Sequence, residues 1–463
     1  MMKTSGLKAL VIGQGGREHA LVRALKLSKS VAEVHALPGS DGIAQDARCH
    51  AIDWKNFGAV ATLARELAID FVMIGPENPL VDGLSNALRE VGIAVVGPSR
   101  EAALLEGSKI FCKDFLVAAG VPTARSQVVS TVDQALQAAR AYAPPYVLKA
   151  DGLAAGKGVF ICKTLEDLRG AAHSIFVEKS LGVAGSRALL EEFSPGYEIS
   201  YLVLTNGETF EPLPLAQDHK RLLDGDEGPN TGGMGVVAPV AMEASLRERI
   251  DREVLQRTMA EFKKRGFVYR GVLFVGIMMT EQGPSVLEFN TRFGDPETQA
   301  ILPLLEERGD RDWGLVLRDL AHGELRPLTW KKMASCCVVL AAEGYPDAPV
   351  KGAVISGLDS GAGRAAGAAG AGSGLGAGAG SGAGAGSGLG AGAGSVAVGG
   401  ERYFLHAGTR FNEGKWQTSG GRVLSAMGLG SDLREAVDRA YEQARSVCWD
   451  GIQLRSDIGA KVL

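Results

Sequence analysis

The sequence is that of an α/β protein with an N-terminal doubly wound parallel sheet, a central α+β region around a glycine-rich loop, and a C-terminal mixed α/β region. Three observations lead there. The first hundred or so residues alternate buried-type strands with amphipathic segments, the pattern of a parallel sheet. The stretch Lys149 to Gly158, K-A-D-G-L-A-A-G-K-G, lies between two apolar runs rich in β-branched and aromatic residues. After about Pro327 the pattern changes to longer strands closed by one amphipathic helix. A chain of 463 residues also exceeds the size at which one core keeps growing, so roughly three domains are expected.

In the N-terminal region a strand at Leu7 to Ile12 runs into Gly13-Gln14-Gly15-Gly16 and then a helix from Arg17 to Leu27, with Leu21, Ala24 and Leu25 on one face. Further strands are expected at Val31 to Ala36, Phe71 to Ile74 and Ala94 to Val96. Each ends in a turn: Pro38-Gly39, Gly75-Pro76-Glu77 and Gly97-Pro98. In such a sheet the carboxyl ends of the strands carry the ligand site. The glycine turn is no dinucleotide fingerprint, because Glu18 stands where the third glycine belongs and Ala36-Leu37 offers no acid for a ribose. A smaller phosphate at the helix N-terminus, with Arg17 beside it, fits better.

The central region begins at Gly107-Ser108-Lys109, where Ser108 can cap a helix with Phe111, Phe115 and Leu116 inward. In the glycine loop, Gly152, Gly156 and Gly158 can turn backbone N–H groups towards an anion, and Lys149 and Lys157 charge its two ends. The combination suits a polyphosphate. It is not a Walker loop, since Gly158 follows the lysine and a strand follows the loop; in isolation a solvated hairpin fits equally well. A strand at Ala188 to Leu190 leads into Glu191-Glu192-Phe193, whose backbone can bind a base edge, with Glu198 in reach of a sugar hydroxyl; plain surface acids would look the same. In Leu287 to Gln299, L-E-F-N-T-R-F-G-D-P-E-T-Q, strand alternation puts Glu288 and Asn290 on one face. Paired hard oxygen ligands suit Mg²⁺ bridged to phosphates; the alternative is a hydrogen-bonded pair on an edge strand. Arg292, Asp295 and Glu297 crowd charge into the next turn. The loops at 217–221 and 228–235 are either solvated or line a site, and His219 has no second ligand at zinc spacing.

The C-terminal region has strands at Cys336 to Ala341, Tyr403 to Ala407 and Arg422 to Ser425, and a helix from about Asp432 to Cys448 with Leu433, Val437, Ala440, Tyr441 and Ala444 inward. Set into it is a run from Ser360 to Ser395 of almost only Gly, Ala and Ser, in which a repeat places Leu375 over Leu389. Such a run buries too little side chain to offset ordering. It is expected to be a flexible insertion, with silk-like stacking as the minor alternative. The six cysteines lack C-x-x-C spacing and are expected to be reduced core residues. A net charge of −4 argues against a general nucleic-acid binder. The first apolar run, Ala9 to Ile12, is too short for a signal peptide, and no later stretch approaches a membrane span. A cytoplasmic protein is expected.

Taken in order, V-I-G-Q-G-G-R-E-H-A (11–20), V-M-I-G-P-E (72–77), L-E-G-S-K (105–109), the glycine loop, Q-D-H-K-R (217–221), G-P-N-T-G-G-M-G (228–235) and E-F-N-T-R-F-G-D-P-E-T-Q (288–299) resemble the glycinamide ribonucleotide synthetases of the ATP-grasp superfamily. H-A-G-T (406–409), G-G-R-V-L (420–424) and D-I-G (457–459) extend the likeness over essentially the whole chain. The resemblance implies an N-terminal substrate domain at 1–104, an ATP-grasp domain at 105–327 with a mobile lid at about 123–193, and a C-terminal domain at 328–463. It implies ligation of glycine to 5-phosphoribosylamine with ATP, through glycyl phosphate. By the same resemblance Lys109, Lys149, Gly152, Gly156, Lys157 and Gly158 hold ATP phosphates, Glu191, Glu192 and Phe193 the adenine, and Glu198 the ribose. Glu288 and Asn290 would bind Mg²⁺ or Mn²⁺; Gly15, Gly16, Arg17, Pro76 and Glu77 would take the sugar substrate; Asp218, Lys220, Arg292 and Asp295 would be catalytic. A monomer is expected.

Three departures bear on loops: Ser40 where the family commonly has Asn, a shortened Val183-Ala184-Gly185 loop, and the Gly/Ala insertion. No acid in the strand from Leu273 to Met278 offers a further metal ligand. The rival enzyme is another ATP-grasp ligase or carboxylase of purine synthesis, which should lack Q-D-H-K-R and N-T-G-G-M-G. A non-catalytic ATP-binding regulator should have lost Glu288, Lys149 or Arg292.

Overall fold

A computed structural model describes residues 6–153, 158–307, 311–358 and 402–463. The expected Gly/Ala insertion, and Gly156 and Lys157 of the glycine loop, lie outside the described residues. The N-terminal strands form one parallel sheet in the order Arg48–Cys49, Val31–Pro38, Leu7–Gly13, Phe71–Ile74, Val95–Val96. Leu7–Gly13 lies in the middle, and its Leu10, Val11 and Ile12 are fully buried, as a continuous apolar run in a two-sided sheet requires. The chain reverses strand order around it, so the glycine turn and the helix Gly16–Leu27 open at the carboxyl edge.

Two antiparallel sheets follow. The first has the order Ser126–Val129, Ala188–Glu192, Tyr146–Ala150, Val159–Cys162. Helices Val132–Ala138 and Leu165–Phe176 cover one face, packing on Tyr146, Leu148, Ala150, Ala188 and Leu190. Strand alternation therefore turns Lys149 and Glu191 to the other face. The second sheet has the order Phe210–Pro212, Tyr197–Thr205, Gly271–Thr280, Gly283–Asn290. Its underside rests on an aromatic cluster in which Phe262 and Tyr269 stack at 4.9 Å and Phe289 meets Phe115 edge-on. Those contacts anchor the strand carrying Glu288 and Asn290.

The C-terminal sheet draws in two strands from the middle of the chain: its order is Gln217–Asp218, Gly235–Ala238, Ala334–Ala341, Arg422–Gly430, Arg402–His406. A division by sequence position alone does not foresee this exchange, and it brings Asp218 and Arg422 into one sheet. The closing helix, Leu433–Ala444, is shorter at its end than expected and is capped by Asp432, which accepts from Glu435 N at 2.9 Å. It lies directly on the sheet because a Cβ at Gly428 would stand 2.2 Å from Ala436 O, an approach only glycine permits. All six cysteines are free. Cys112, Cys162, Cys336 and Cys337 are core residues as expected, but Cys49 is only half-buried and Cys448 is exposed beyond the helix end. Among the described residues no helix is long and apolar enough to cross a membrane.

Candidate active site

Lys149 projects from the inner face of the first antiparallel sheet, where its Nζ lies 2.7 Å from Glu191 Oε2 and donates to Leu287 O at 3.2 Å. Lys113, from the helix Lys109–Ala118, takes the other oxygen of Glu191 at 2.8 Å. The three side chains are 3–7% exposed, so this is a buried ion triad whose geometry is held on both sides. Burial works against the charge of Glu191, but Lys149 and Lys113 hold its carboxyl below the usual range. Burial lowers Lys113 overall, whereas in Lys149 it is outweighed by Glu191 and then by Glu288. The side chain of Glu191, expected beside an adenine, is thus committed to fixing the lysine. Lys113 was not foreseen from sequence. Glu192 is paired outward with Arg125 at 2.7 Å, and Phe193 is 37% exposed.

The start of the glycine loop is tied to the same helix. Ser108 Oγ and Ile110 N donate to Asp151 Oδ1 at 2.6 and 3.0 Å, while Ser108 caps the helix at Phe111 N. Lys109 Nζ donates to Gly152 O at 3.0 Å. Burial lowers the Lys109 ammonium, and Glu288 opposes it. Gly152 packs on Ala184, where a Cβ would stand 2.8 Å from the alanine Cβ.

Glu288 faces three cations. Burial raises its carboxyl, but Lys220, Lys149 and Lys109 bring it below the usual range. Asn290 Oδ1 accepts from Arg292 Nη2 at 3.3 Å. Arg292 is gripped by Glu106 at 3.0 Å and Glu77 at 3.5 Å. Glu106 also accepts from Thr291 N at 2.7 Å, fixing the turn after the strand. Burial lowers the Arg292 guanidinium, yet Glu106 and Glu77 raise it overall. Glu77 comes from the first turn of a helix that begins after Pro76. Two oxygen donors on alternate positions of one strand fit a hard divalent cation that takes its remaining ligands from phosphate and water. Among the described residues no group of three His, Cys, Asp or Glu could hold a metal by itself.

Lys220 is paired with Glu198, so residues expected on the glycine and ribose sides touch one another. Burial lowers the Lys220 ammonium, but Glu198, Glu288 and Asp218 raise it overall. Asp218 Oδ1 is buried without a hydrogen-bond partner. Burial, and then the nearby Glu297, push the Asp218 carboxyl well above the usual range. Glu297 is raised by burial too, and accepts from Ser200 Oγ at 3.3 Å. Asp295 meets Arg422 at 3.0 Å and Gln299 Nε2 at 2.7 Å. Arg422, Glu106 and Glu297 were legible only as members of the strings that carry the family resemblance, not as site residues. His219 is structural: its ring lies 3.2 Å from Gly235 O and accepts from Gly459 N at 3.2 Å.

At the N-terminal glycine turn, Glu18 folds back to accept from Gly15 N at 2.7 Å and pairs with Arg17 at 2.6 Å. A Cβ at Gly13 or Gly75 would stand 2.4 and 2.3 Å from the Glu18 side chain. The carboxylate therefore fills the space a dinucleotide pyrophosphate would need. Gly16 packs beside Gln299, and Arg17 donates to Phe293 O at 3.1 Å. The turn thus closes against the loop that carries Arg292 and Asp295.

Profiles of the phosphoribosylglycinamide synthetase family match the chain as N domain over residues 7–106, ATP-grasp (A) domain over 107–298 and C domain over 391–461. A phosphoribosylamine–glycine ligase of Streptomyces coelicolor is 42% identical over 98% of this chain and 99% of its own length. The crystal structure of the Thermotoga maritima phosphoribosylamine–glycine ligase superposes with a TM-score of 0.79 at 31% identity, covering 98% of this chain and 100% of that one. A biotin carboxylase domain of the Hydrogenobacter thermophilus 2-oxoglutarate carboxylase shares the fold, with a TM-score of 0.67 at 18% identity over 96% of this chain and 91% of its own. With matches of this extent in all three parts, the chain belongs to the phosphoribosylglycinamide synthetase family.

Proposed function

We infer that this protein is an ADP-forming ligase that joins glycine to 5-phosphoribosylamine, giving glycinamide ribonucleotide and phosphate. The observation that carries the site assignment is the convergence of Lys109, Lys149 and Lys220 on Glu288. Three cations around one carboxylate suit a polyphosphate with its metal, since phosphoryl transfer needs positioning and charge neutralisation more than a covalent nucleophile.

In this reading Lys109 and Lys149 hold ATP phosphates, with Gly152, Gly156, Lys157 and Gly158 as the cover. The Glu191-Glu192-Phe193 backbone takes the adenine and Glu198 the ribose. Glu288 and Asn290 hold the divalent cation, Mg²⁺ or Mn²⁺, which when bound neutralises phosphate charge. Lys149 is presented by Glu191 in one fixed geometry, so little reorganisation is left for the moment of transfer. The glycine carboxylate attacks the γ-phosphate and ADP leaves; the neutral amine of phosphoribosylamine then attacks the acyl carbon of glycyl phosphate, and phosphate leaves as the amine gives up a proton. Asp218, Lys220, Arg292 and Asp295 orient the reacting groups, and Gly15, Gly16, Arg17, Pro76 and Glu77 face the sugar substrate. Glu18 holds both Gly15 N and Arg17, so a sugar phosphate bound here would draw Arg17 away from Glu18. The lid excludes water from the acyl phosphate.

The test is ADP formation with ATP, metal, glycine and freshly made phosphoribosylamine, each omitted in turn. Full dependence on all of them is expected; ADP formation with bicarbonate in place of glycine would favour the carboxylase reading. A cytoplasmic monomer accompanies this reading, to be checked by fractionation and sedimentation.

A further inference from the structure

Most charges of the site pair off, and Lys109 is spent on Gly152 O. Lys220 is taken by Glu198, Arg292 by Glu106 and Glu77, Arg422 by Asp295, Arg17 by Glu18, and both Lys113 and Lys149 by Glu191. Glu288 is the expected metal ligand. Asp218 and Glu297 remain: among the described residues neither forms an ion pair, and Asp218 Oδ1 has no hydrogen-bond partner although it is buried. Glu297 is 3% exposed and its one side-chain donor is Ser200. Two neighbouring buried carboxylates without a cation of their own are costly. Such a pair is relieved by a cation that arrives with a substrate.

We propose that Asp218 and Glu297 together receive the ammonium group of glycine. The inference rests on the ligase reading, and goes beyond it in adding Glu297 and in naming the substrate group bound. Of the two amines in the reaction, only that of glycine stays a spectator and keeps its charge throughout. The amine of phosphoribosylamine must be uncharged to attack, and a dicarboxylate would favour its unreactive protonated form. The location agrees. Lys220 acts on both Asp218 and Glu288, so the acidic pair adjoins the phosphate-facing cations. The other charged groups facing the pair are Arg422, Arg292 and Asp295, and each is engaged as described above. Burial raises both carboxyls, as expected for acids that lack a counter-ion. The backbone also packs directly on Asp218 and on the residue before Glu297: a Cβ at Gly233 would stand 2.8 Å from Asp218 Oδ1 and 2.4 Å from Pro296 Cδ.

The test compares full-length wild type with Glu297→Gln and Asp218→Asn, in initial rates and in calorimetric binding of glycine in the presence of a non-hydrolysable ATP analogue. Loss of one charge-assisted hydrogen bond predicts that the glycine KM and Kd rise roughly 30-fold in each variant, while the ATP KM changes less than about threefold. Preference for glycine over glycolate, which has a hydroxyl in place of the ammonium, should collapse in the variants, and Glu297→Asp should recover part of it. Glycine KM and preference unchanged in a folded Glu297→Gln, or glycine and ATP affinities lost together, would overturn the proposal. If Asp218→Asn does not fold, the near-isosteric Glu297→Gln and its Asp counterpart decide alone. Absence of glycine-dependent ADP formation in the wild type would instead strike the ligase reading itself.

Discussion

Replacing Lys149 by Met separates the catalytic use of the ion triad from its structural use. The substitution keeps the length and apolar stem of the side chain but removes the ammonium that lies 2.7 Å from Glu191. Removing one partner of a buried pair costs about 3–5 kcal/mol when the remaining charge is left alone. Glu191 keeps Lys113 at 2.8 Å, so the stability loss should fall below that range, at about 1–2 kcal/mol. Transition-state stabilisation has no such reserve: Lys113 is spent on Glu191, Thr123 and Ala124 O, and loss of one aimed donor costs roughly 100-fold in turnover, about 2.7 kcal/mol. The assays are steady-state ADP release and urea unfolding of the same preparations. Glu191→Gln supplies the contrast, because it removes the shared counter-ion while Lys149 keeps Leu287 O and Lys113 keeps Thr123 and Ala124 O; it should cost more stability than Lys149→Met and less turnover. A Lys149→Met enzyme turning over within a few-fold of wild type, or one whose rate loss is matched by Glu191→Gln, would refute a direct role for the ammonium.

Three further outcomes follow from the same geometry. Glu288→Gln should raise the Mg²⁺ concentration needed for half-maximal rate and abolish Mn²⁺ binding followed by paramagnetic resonance, while thermal unfolding stays close to wild type because Phe289 anchors the strand; near wild-type turnover at limiting metal would contradict the ligand assignment. Burial, and then His19, hold the His406 imidazole down at about 3, so between about pH 6.5 and 3 the unfolded chain binds the proton that the folded one excludes. Stability should fall there by about 1.4 kcal/mol per pH unit, and a His406→Asn variant unfolded at pH 7.5 and 5.5 should show a shallower acid loss; an unchanged slope would show that the ring protonates in the fold. Replacing residues Gly361 to Ser395 by a few residues should leave turnover unchanged and make unfolding no easier, since closing a loop of about 45 residues costs roughly 1.3 kcal/mol more than closing one of 10; lost activity would show that the stretch contributes to the body of the enzyme.

What could be read from the sequence, and what could not, divides along range of contact. The strand period set Glu288 beside Asn290 on one face, and that placement holds because alternation is a local property of an extended chain, whereas Lys149, expected at the end of the loop, proves to lie within the strand Tyr146–Ala150. The partner that fixes Lys149 lies 42 residues further on by number, and Asp218 finds itself in a sheet with residues from beyond 330, because Gly235–Ala238 pairs with Ala334–Ala341. No periodicity in either segment encodes that pairing. Glu18 shows the intermediate case. Its presence in place of a glycine was enough to argue against a dinucleotide, but only the fold reveals that its carboxylate fills the turn and binds Gly15 N. The same distinction explains why Glu297 escaped notice as a site residue. In the string G-D-P-E-T-Q it is one acid among several, and its significance arises by subtraction: every neighbouring cation is already paired, through contacts spanning 22 to 215 residues of chain, from Lys220 with Glu198 to Arg292 with Glu77. A charge inventory requires all the partners at once, and the partners are brought together by sheet topology. Where a function depends on what a buried charge lacks, composition and spacing are silent until the fold has been drawn.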